Sequence, residues 1–459
     1  MRVRERVSIV CWPGVGGGGG GEGGRLAPPR TGRAGSHAGE VTADLVALRE
    51  RIAAITARPP RSSQLPPYAP PQVGEGEFER TRGRQGACGR LPDHCVEEPT
   101  PFGPVVVRRE WLPDEGDRET NALSTFLGLA TDDLQRPLFL DTETTGLSGG
   151  TGTVAFLVGL AWREANGLTL AQYFLRDFNE ENALLWAVGQ CVNDAGVLVS
   201  YNGRCFDWPL LQTRLVMRRA AWPSPPHFDL LTLARRIFRP RLPDCALQTI
   251  EQAILDLHRA DDLPGSLIPS RYFAWLRDGD RYALDPVFTH NRQDVLSMVL
   301  LLARFEALLR SADDLHPLDR FGRARFLELR GFHDDAILAY RQLWQLRPKG
   351  ASPVLGGALG LRLARLLRRQ GRWEEARLIL EECWRTQSYP YPVAIELAKL
   401  LEHQARDFGA ARRIVGDALR LLAMAAVPNP HWRADLERRL QRLDRRLQGS
   451  ASLRLLYAG

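Results

Sequence analysis

The first residues able to do chemistry are two carboxylates that follow an apolar run in the segment PLFLDTET. Asp141 and Glu143 stand two residues apart on a predicted strand, so both side chains point to the same face. Two anions at the end of a buried strand are unfavourable unless a cation neutralises them. Their oxygen atoms suit Mg²⁺ or Mn²⁺. Taken alone, the start of a solvated turn explains the pair better.

A third carboxylate, Asp207, follows another predicted strand in the segment VSYNGRCFDWPLL. Asn202 and Gly203 are expected to form the turn that leads to it. Phe206 is expected to pack into the core beside Asp207. An acidic residue that caps the start of a helix is the alternative explanation for Asp207.

A histidine and a fourth carboxylate come together in HNRQDVLSMVLLL. His290 and Asp294 are four residues apart, so they share one face of a predicted helix. The apolar residues Val295 and Val299 put Asp294 at the edge of the buried stripe, where a carboxylate needs a partner or a metal. A surface histidine at the start of a helix is the alternative for His290.

The elements that must position these groups begin with three strands able to form an antiparallel meander, PLFLDTET, TVAFLVGLAW and LTLAQYFL. A helix, a strand at GVLVSYNG, a helix and a short strand at HFDLL follow. Helices are predicted near 245–256 and 270–277 and from about 285 to 311. The sequence therefore predicts an α/β fold, a ribonuclease H-like mixed sheet with flanking helices. This order brings the four carboxylates to one sheet edge, where they can hold two metal ions.

The three motifs resemble the four-carboxylate (DEDD) exonuclease superfamily, which includes polymerase proofreading domains. Within it, FLDTETTGLSGGTGTVAFLVGL, SYNGRCFDWPLL and HNRQDVLSM resemble the bacterial YprB-like ribonuclease H-like family, over residues ~100–310. In that superfamily, a tyrosine usually stands at the spacing that His290 has here, or the histidine stands one residue farther from the aspartate. The resemblance implies these metal ligands: Asp141, Glu143, Asp207 and Asp294.

The resemblance implies a 3′→5′ exonuclease that hydrolyses phosphodiester bonds of single-stranded DNA or RNA with two Mg²⁺ or Mn²⁺ ions ~3.5–4 Å apart. Asp141 is expected to bridge the ions, and Glu143 and Asp294 to complete the site that holds the water. Asp207 is expected to hold the other ion, and His290 to orient or deprotonate the water. Residues beside the carboxylates are predicted to contact the substrate: Thr142, Thr144, Gly146, Leu147, Asn202 and Phe206.

Two other functions stay open at this point. One is a structure-specific endonuclease with the same fold. The other is a scaffold whose nuclease domain only holds nucleic acid while its C-terminal repeats recruit a protein partner. The presence of all four carboxylates argues against the scaffold. DNA and RNA are not distinguished, because contacts to the 2′-hydroxyl leave no motif.

The 459-residue chain has room for two or three domains. Residues 1–100 are predicted to be a disordered tail and linker, rich in Gly, Pro and Arg, with one short helix at about 42–57. The ribonuclease H-like domain is placed at 101–312. Residues 317–447 are predicted to be tetratricopeptide-like helical repeats, and residues 448–459 a C-terminal tail.

The repeat is carried by two similar stretches of the helical segment. Gly331, Ala336 and Pro348 are matched by Gly371 and its followers Ala376 and Pro390, and Phe408 with Ala411 starts a third, degenerate copy. The period of ~35–40 residues is near the tetratricopeptide length. A plain helical bundle is the alternative.

The composition is that of a mildly basic globular protein, with a net charge of +7 and a pI of about 9.2. This charge suits a nucleic-acid partner without requiring one. A run of arginines follows Asp229: Arg235, Arg236, Arg239 and Arg241. A solvated basic surface is favoured for them over phosphate contacts.

The seven cysteines contain no C-x-x-C pair, so neither a disulfide framework nor a zinc site is expected. Reduced cysteines are typical of a cytoplasmic protein. No signal peptide and no membrane span are expected, since the longest apolar runs are short and flanked by charges.

Overall fold

The computed structural model describes residues 91, 93–113, 136–146, 152–164, 167–260, 262–279, 281–312, 314–346, 353–425 and 430–456. The predicted helix at 42–57 and most of the predicted N-terminal tail lie outside these residues, as does Leu147.

In the described part of the chain, one mixed sheet contains β1 (Cys95–Thr100), β2 (Gly103–Pro113), β3 (Pro137–Thr144), β4 (Ala155–Glu164), β5 (Gly167–Phe174), β6 (Val197–Ser200) and β7 (His227–Asp229). Their spatial order is β1-β2-β5-β4-β3-β6-β7. The pairs from β1 to β3 are antiparallel, whereas β3, β6 and β7 run parallel. The carboxyl ends of β3, β6 and β7 therefore meet at one edge of the sheet.

The helices of this part are α1 (Glu181–Asn193), α2 (Asp207–Met217), α3 (Leu230–Phe238), α4 (Leu247–Ile250), α5 (Ile268–Asp278) and α6 (Asp285–Arg310). A π-helical turn, Glu251–Leu255, continues α4. Leu138 and Leu140 belong to the core under α1, α2 and α5, while Phe139 belongs to the core under α3 and α6. Alternate residues of β3 thus face opposite helical layers, which is the pattern expected of a strand buried on both faces.

The predicted α/β class, a ribonuclease H-like mixed sheet with flanking helices followed by an all-α region, is confirmed. The observed sheet differs from the prediction by the strands β1 and β2, which the sequence does not predict. β1 lies in the segment assigned to the linker. The composition of the two strands is the physical reason: no residue of CVEEPT is buried, and β2 has a single buried apolar run, Val105–Val107. They form a hairpin that extends the sheet beyond β5.

The second part of the chain is helical: α7 (Pro317–Leu329), α8 (His333–Leu346), α9 (Pro353–Arg369), α10 (Trp373–Arg385), α11 (Pro390–His403), α12 (Phe408–Ala423) and α13 (Pro430–Leu456). α13 extends beyond residue 447 into the segment predicted to be a tail. None of the helices described is long and apolar enough to cross a membrane.

Two helix pairs of this region are joined in the same way. Gly331 follows α7 and Gly371 follows α9, with φ of 86° and 78°. Glycine adopts this left-handed conformation without strain, so it suits a helix end. Ala336, Ala376 and Ala411 are all fully buried at matching places in the next helix. These features agree with the proposed repeat, while its tetratricopeptide identity stays a prediction.

The helical region packs on the sheet domain through α3 and α7. A Cβ atom on Gly322 of α7 would lie 1.9 Å from the carbonyl oxygen of Ile237. Beside this contact, the guanidinium of Arg241 pairs with the buried carboxylate of Asp319 at 2.8 Å. Close helix approach therefore depends on the absence of a side chain at residue 322.

Substitution Gly322→Ala is expected to lower the free energy of unfolding by about 1–3 kcal/mol, because the added methyl group must displace backbone. Gly416→Ala is the matched control: it also lies within a helix, α12, but a Cβ there meets nothing within 4 Å. The control should gain about 0.5–1 kcal/mol from helix propensity. Denaturant unfolding of both variants measures the difference, and equal gains would contradict the close contact.

Candidate active site

Asp141 and Glu143 lie at the carboxyl end of β3. In the register with β4, Asp141 faces Gly159 and Glu143 faces Leu157. Helix α6 packs across β3 and β4 and carries Asp294 to the same edge. Asp207 begins α2, soon after β6, the parallel neighbour of β3.

Burial and mutual repulsion dominate the electrostatics of these four carboxylates, here called the carboxylate cluster. Burial raises the pKa of Asp141 well above its ordinary value, and the charges of Asp294 and Asp207 raise it further. The pKa of Glu143 is likewise raised well above its ordinary value, by burial first and then by the charge of Asp141. Burial also raises the pKa of Asp207 to about 6. Asp141 and Glu143 form no ion pair with any arginine or lysine in the described ranges.

The turn before Asp207 is fixed by backbone constraints. Asn202 adopts a left-handed conformation with φ of 67°, which asparagine tolerates better than most residues. The Asp229 carboxylate accepts the N–H groups of Asn202 at 2.8 Å and of Leu231 at 3.0 Å. A Cβ on Gly203 would lie 2.7 Å from Asp207 Oδ2. Asp229 thus has a structural role, since it ties the turn to the start of α3.

Asp207 is not the helix cap considered as its alternative. Phe206 holds the N-cap position of α2 and makes no side-chain capping bond. The Asp207 carboxylate accepts a hydrogen bond from the Thr142 hydroxyl on β3 instead. This bond ties the third carboxylate to the strand that carries the first two.

Arg259, which no sequence motif marks, lies behind the cluster and bonds three carboxylates. Its guanidinium donates to Asp294 Oδ1 at 2.5 Å and makes two bonds of 2.6 Å to Glu251. It also lies 3.1 Å from Asp262 Oδ2. The side chain is 6% exposed. A buried arginine with this many acidic partners holds Asp294 in place and offsets part of the negative charge.

His290 lies between Asp262 and Asp294. Its Nδ1 is 2.8 Å from Asp262 Oδ1, and its Nε2 is 3.7 Å from Asp294 Oδ2. Burial lowers the pKa of His290, but the hydrogen bond to Asp262 and the charge of Asp294 outweigh it, so the pKa lies above its ordinary value. The side chain is 11% exposed, which does not fit a surface histidine.

One buried amide holds Asp141 and a second holds the first, and neither was predicted from the sequence. Asn291 Nδ2 donates to Asp141 Oδ2 at 2.9 Å, and Gln172 Nε2 donates to Asn291 Oδ1 at 2.9 Å. A Cβ on Gly159 would lie 2.2 Å from Asn291 Oδ1, so the glycine leaves room for the amide. Two signals were present: Gln172 is the one strongly polar residue of LTLAQYFL, and Asn291 precedes Asp294 by three helix positions.

The predicted substrate contacts fall at different places around the edge. The Thr142 hydroxyl donates to Asp207, and the Thr144 hydroxyl donates to the carbonyl oxygen of Gly146 at 2.8 Å. The expectation that Phe206 packs into the core is wrong, since 58% of it is exposed. Its position beside Asp207 keeps it available for a substrate contact.

The chemistry of the cluster fits divalent cations, since it offers hard oxygen donors and since Asp141 and Glu143 form no ion pair among the described residues. Among the described residues, however, no three His, Cys, Asp or Glu side chains stand close enough to hold one ion together. Arg259 holds Asp294 and Thr142 holds Asp207, so both carboxylates already have hydrogen-bond partners within the protein. The four groups share an edge without closing on one point.

The metal-free protein should lose stability as the pH rises from about 4 through 6, where about 4 is the pKa of carboxyl groups in the unfolded chain. Over this range the native state keeps protons on Asp141, Glu143 and Asp207 that the unfolded chain has released. Asp141→Asn removes one buried charge, so it should flatten this dependence and raise the melting temperature at pH 7. Calorimetry in EDTA measures both, with the exposed Asp314→Asn as the control. Identical pH curves for wild type and Asp141→Asn would contradict the buried charge.

Comparisons with known proteins identify the superfamily of the sheet domain. Residues 138–305 match the model of the RNase_H_2 family of the RNase_H superfamily. The chain is 34% identical over 288 residues to the uncharacterized protein YprB of Bacillus subtilis (strain 168), covering 61% of this chain and 68% of that protein. A family B DNA polymerase from the archaeon Pyrobaculum calidifontis matches with 18% identity over 43% of this chain and 29% of the polymerase, at a TM-score of 0.31, too low to bear on function. The chain belongs to the family of YprB and carries a domain of the RNase H superfamily.

Proposed function

We propose that this protein is a divalent-metal-dependent 3′→5′ exonuclease that hydrolyses single-stranded nucleic acid. Membership of the RNase H superfamily indicates a nuclease acting on nucleic acid. The observation that carries the finer proposal is the carboxylate cluster at the edge of the sheet. Burial raises the pKa of Asp141, and the charges of Asp294 and Asp207 add to it. Divalent cations would stabilise the charged form of such carboxylates at neutral pH.

Asp141 and Glu143 would be the principal ligands, with Asp207 and Asp294 completing the set. Divalent cations bound there would lower the pKa of water and stabilise the charge that develops on the leaving 3′ oxygen. Asn291 donates its N–H to Oδ2 of Asp141 and so fixes the orientation of that carboxylate. Asp294 would exchange part of its ion pair with Arg259 for the cation.

His290 would accept a proton from the attacking water at Nε2. Its Nδ1 is occupied by Asp262, which fixes the plane of the ring and leaves Nε2 directed towards Asp294. Asp262 would stabilise the imidazolium that forms, because an opposite charge favours the charged state of histidine. The proposed general base is thus oriented by a second carboxylate outside the cluster.

The single-stranded substrate and the direction of hydrolysis rest on two supports. Exposed aromatic rings bind unpaired bases by stacking, and Phe206 is 58% exposed beside Asp207. The 3′→5′ direction rests on the resemblance of the three motifs to proofreading exonucleases. The products distinguish this proposal from a structure-specific endonuclease, since an exonuclease shortens a strand stepwise from its end and an endonuclease cuts within it.

A single strand labelled at its 5′ end should shorten stepwise from the 3′ end in Mg²⁺ or Mn²⁺. Gel analysis of timed samples resolves the ladder for both DNA and RNA. Asp141→Asn should reduce the rate to background, whereas the exposed Asp314→Asn should leave it unchanged. Cleavage of a circular single strand would support the endonuclease instead.

His290→Ala should lower kcat by about 10²–10⁴-fold if His290 is a general base. The stabilisation of the folded protein by Mn²⁺ should survive this substitution, because the carboxylates remain. His290→Tyr, which supplies the residue usual at this spacing, should keep more activity than His290→Ala.

Thr289→Ala is the matched control for this series, because Thr289 precedes His290 on α6 and is exposed. Its hydroxyl donates to the carbonyl oxygen of Asp285, one turn back on the same helix. Equal kcat for His290→Ala and Thr289→Ala would remove His290 from the mechanism. Loss of the Mn²⁺ stabilisation in His290→Ala would assign it to holding the site together.

A further inference from the structure

A cleft opens where α3 of the sheet domain faces α7 of the helical region. Its volume is about 370 Å³. Four arginines and three apolar residues line it, and they are Arg235, Arg236, Arg239, Arg325, Pro240, Phe321 and Leu329. We call this the arginine cleft.

The arginine cleft is rich in positive charge, and the carboxylate of Asp244 interacts electrostatically with Arg239 without an ion-pair contact. Among the described residues, none of its four guanidinium groups forms an ion pair. The neighbouring Arg241 shows the contrast, since it pairs with Asp319 at 2.8 Å. Four like charges gathered in one cleft repel each other, and a bound anion reduces that repulsion.

The side chains of the cleft are partly held in place. The guanidinium of Arg325 lies 6.0 Å from the ring centre of Phe321, and its Nε is buried without a hydrogen-bond partner. Arg239 donates to the carbonyl oxygen of Pro243. Arg235 and Arg236 are exposed on α3. A buried donor without a partner costs free energy until an acceptor reaches it.

Guanidinium groups match the geometry of phosphate oxygens, to which they can bind through two parallel hydrogen bonds. The apolar surface beside them suits the sugars and bases of the same chain, and Leu329 is 62% exposed there. Alternation of a phosphate with an apolar unit is the chemistry of a nucleic-acid strand. An acidic peptide would supply the charge but no such apolar unit at each step.

Helix α3 connects the arginine cleft to the turn that carries Asp207. α3 starts directly after Asp229, whose carboxylate holds the turn that leads to Asp207. With a rise of about 1.5 Å per residue, Arg235 and Arg236 lie about 8–9 Å along the helix from its first residue. A strand with its end at the cluster needs only a few nucleotides to reach them.

We propose that the arginine cleft binds the phosphodiester backbone of the strand whose 3′ end lies at the carboxylate cluster. This inference rests on the proposed function for the position of that end. The cleft then holds the segment on the 5′ side of the cleaved bond. It gives the helical region a direct part in binding the substrate, through Arg325 and Leu329.

The test is binding of a fluorescein-labelled single strand to the full chain in the Asp141→Asn background, measured by anisotropy at several salt concentrations. Arg235→Gln with Arg236→Gln should weaken binding about tenfold and uniformly across sequences. It should also reduce the slope of log K against log salt by about 1.4, or about 0.7 for each phosphate that is no longer neutralised. Thermal melts establish that the variant is folded.

Arg369→Gln with Arg413→Gln is the matched control, because both residues are exposed on α9 and α12, outside the cleft. It changes the net charge by the same amount and should leave affinity and slope as they were. Equally weakened binding in the two double variants would overturn the proposal, since the change in net charge alone would then explain the lost affinity. Unchanged binding in the cleft variant would overturn it as well.

A poly-glutamate peptide with the same number of charges identifies the occupant. The oligonucleotide should bind more tightly than the peptide, and the cleft substitutions should weaken it more. Tighter binding of the peptide, abolished in the cleft variant, would assign the cleft to an acidic protein and overturn the proposal. Absence of cleavage by the wild type in Mn²⁺ would refute the proposed exonuclease, while weaker oligonucleotide binding by the cleft variant would still locate a nucleic-acid site.

Discussion

Negative charge held away from water at the end of β3 is the constraint on which the rest of this structure depends. Asp141 and Glu143 project from one face of a strand buried on both sides, and burial raises the pKa of each well above its ordinary value. An arrangement of this kind opposes folding unless something compensates for it. The surrounding residues supply part of that compensation, and a divalent cation would supply the rest.

Compensation comes from groups distant in the sequence. The Asn291 amide, oriented by Gln172 and given room by Gly159, donates to Asp141. Arg259 offsets the charge of Asp294 from behind the cluster. A site held in this way has its carboxylates positioned before any ligand binds. Binding of a cation then requires exchange of partners rather than refolding of the edge.

Sequence patterns predicted the elements and residues that follow from local periodicity. Alternation and apolar runs located β3 to β7, and helical spacing put His290 and Asp294 on one face. They could not locate β1, none of whose residues is buried, or show that Phe206 turns outward. Arg259 was equally out of reach, because its partners come from a π-helical turn, a loop and α6. Such contacts depend on the tertiary fold and leave no periodicity in the chain.

The position of bound Mn²⁺ is the decisive observation, because the proposed chemistry requires this edge of the sheet to hold divalent cations. Crystals of the full chain soaked in Mn²⁺ can be measured near the manganese absorption edge, where anomalous scattering marks the ion. We expect an anomalous peak in contact with the carboxylates of Asp141 and Glu143, and its disappearance in Asp141→Asn. Manganese bound elsewhere, with these two carboxylates free of metal at saturating concentration, would contradict the proposed site.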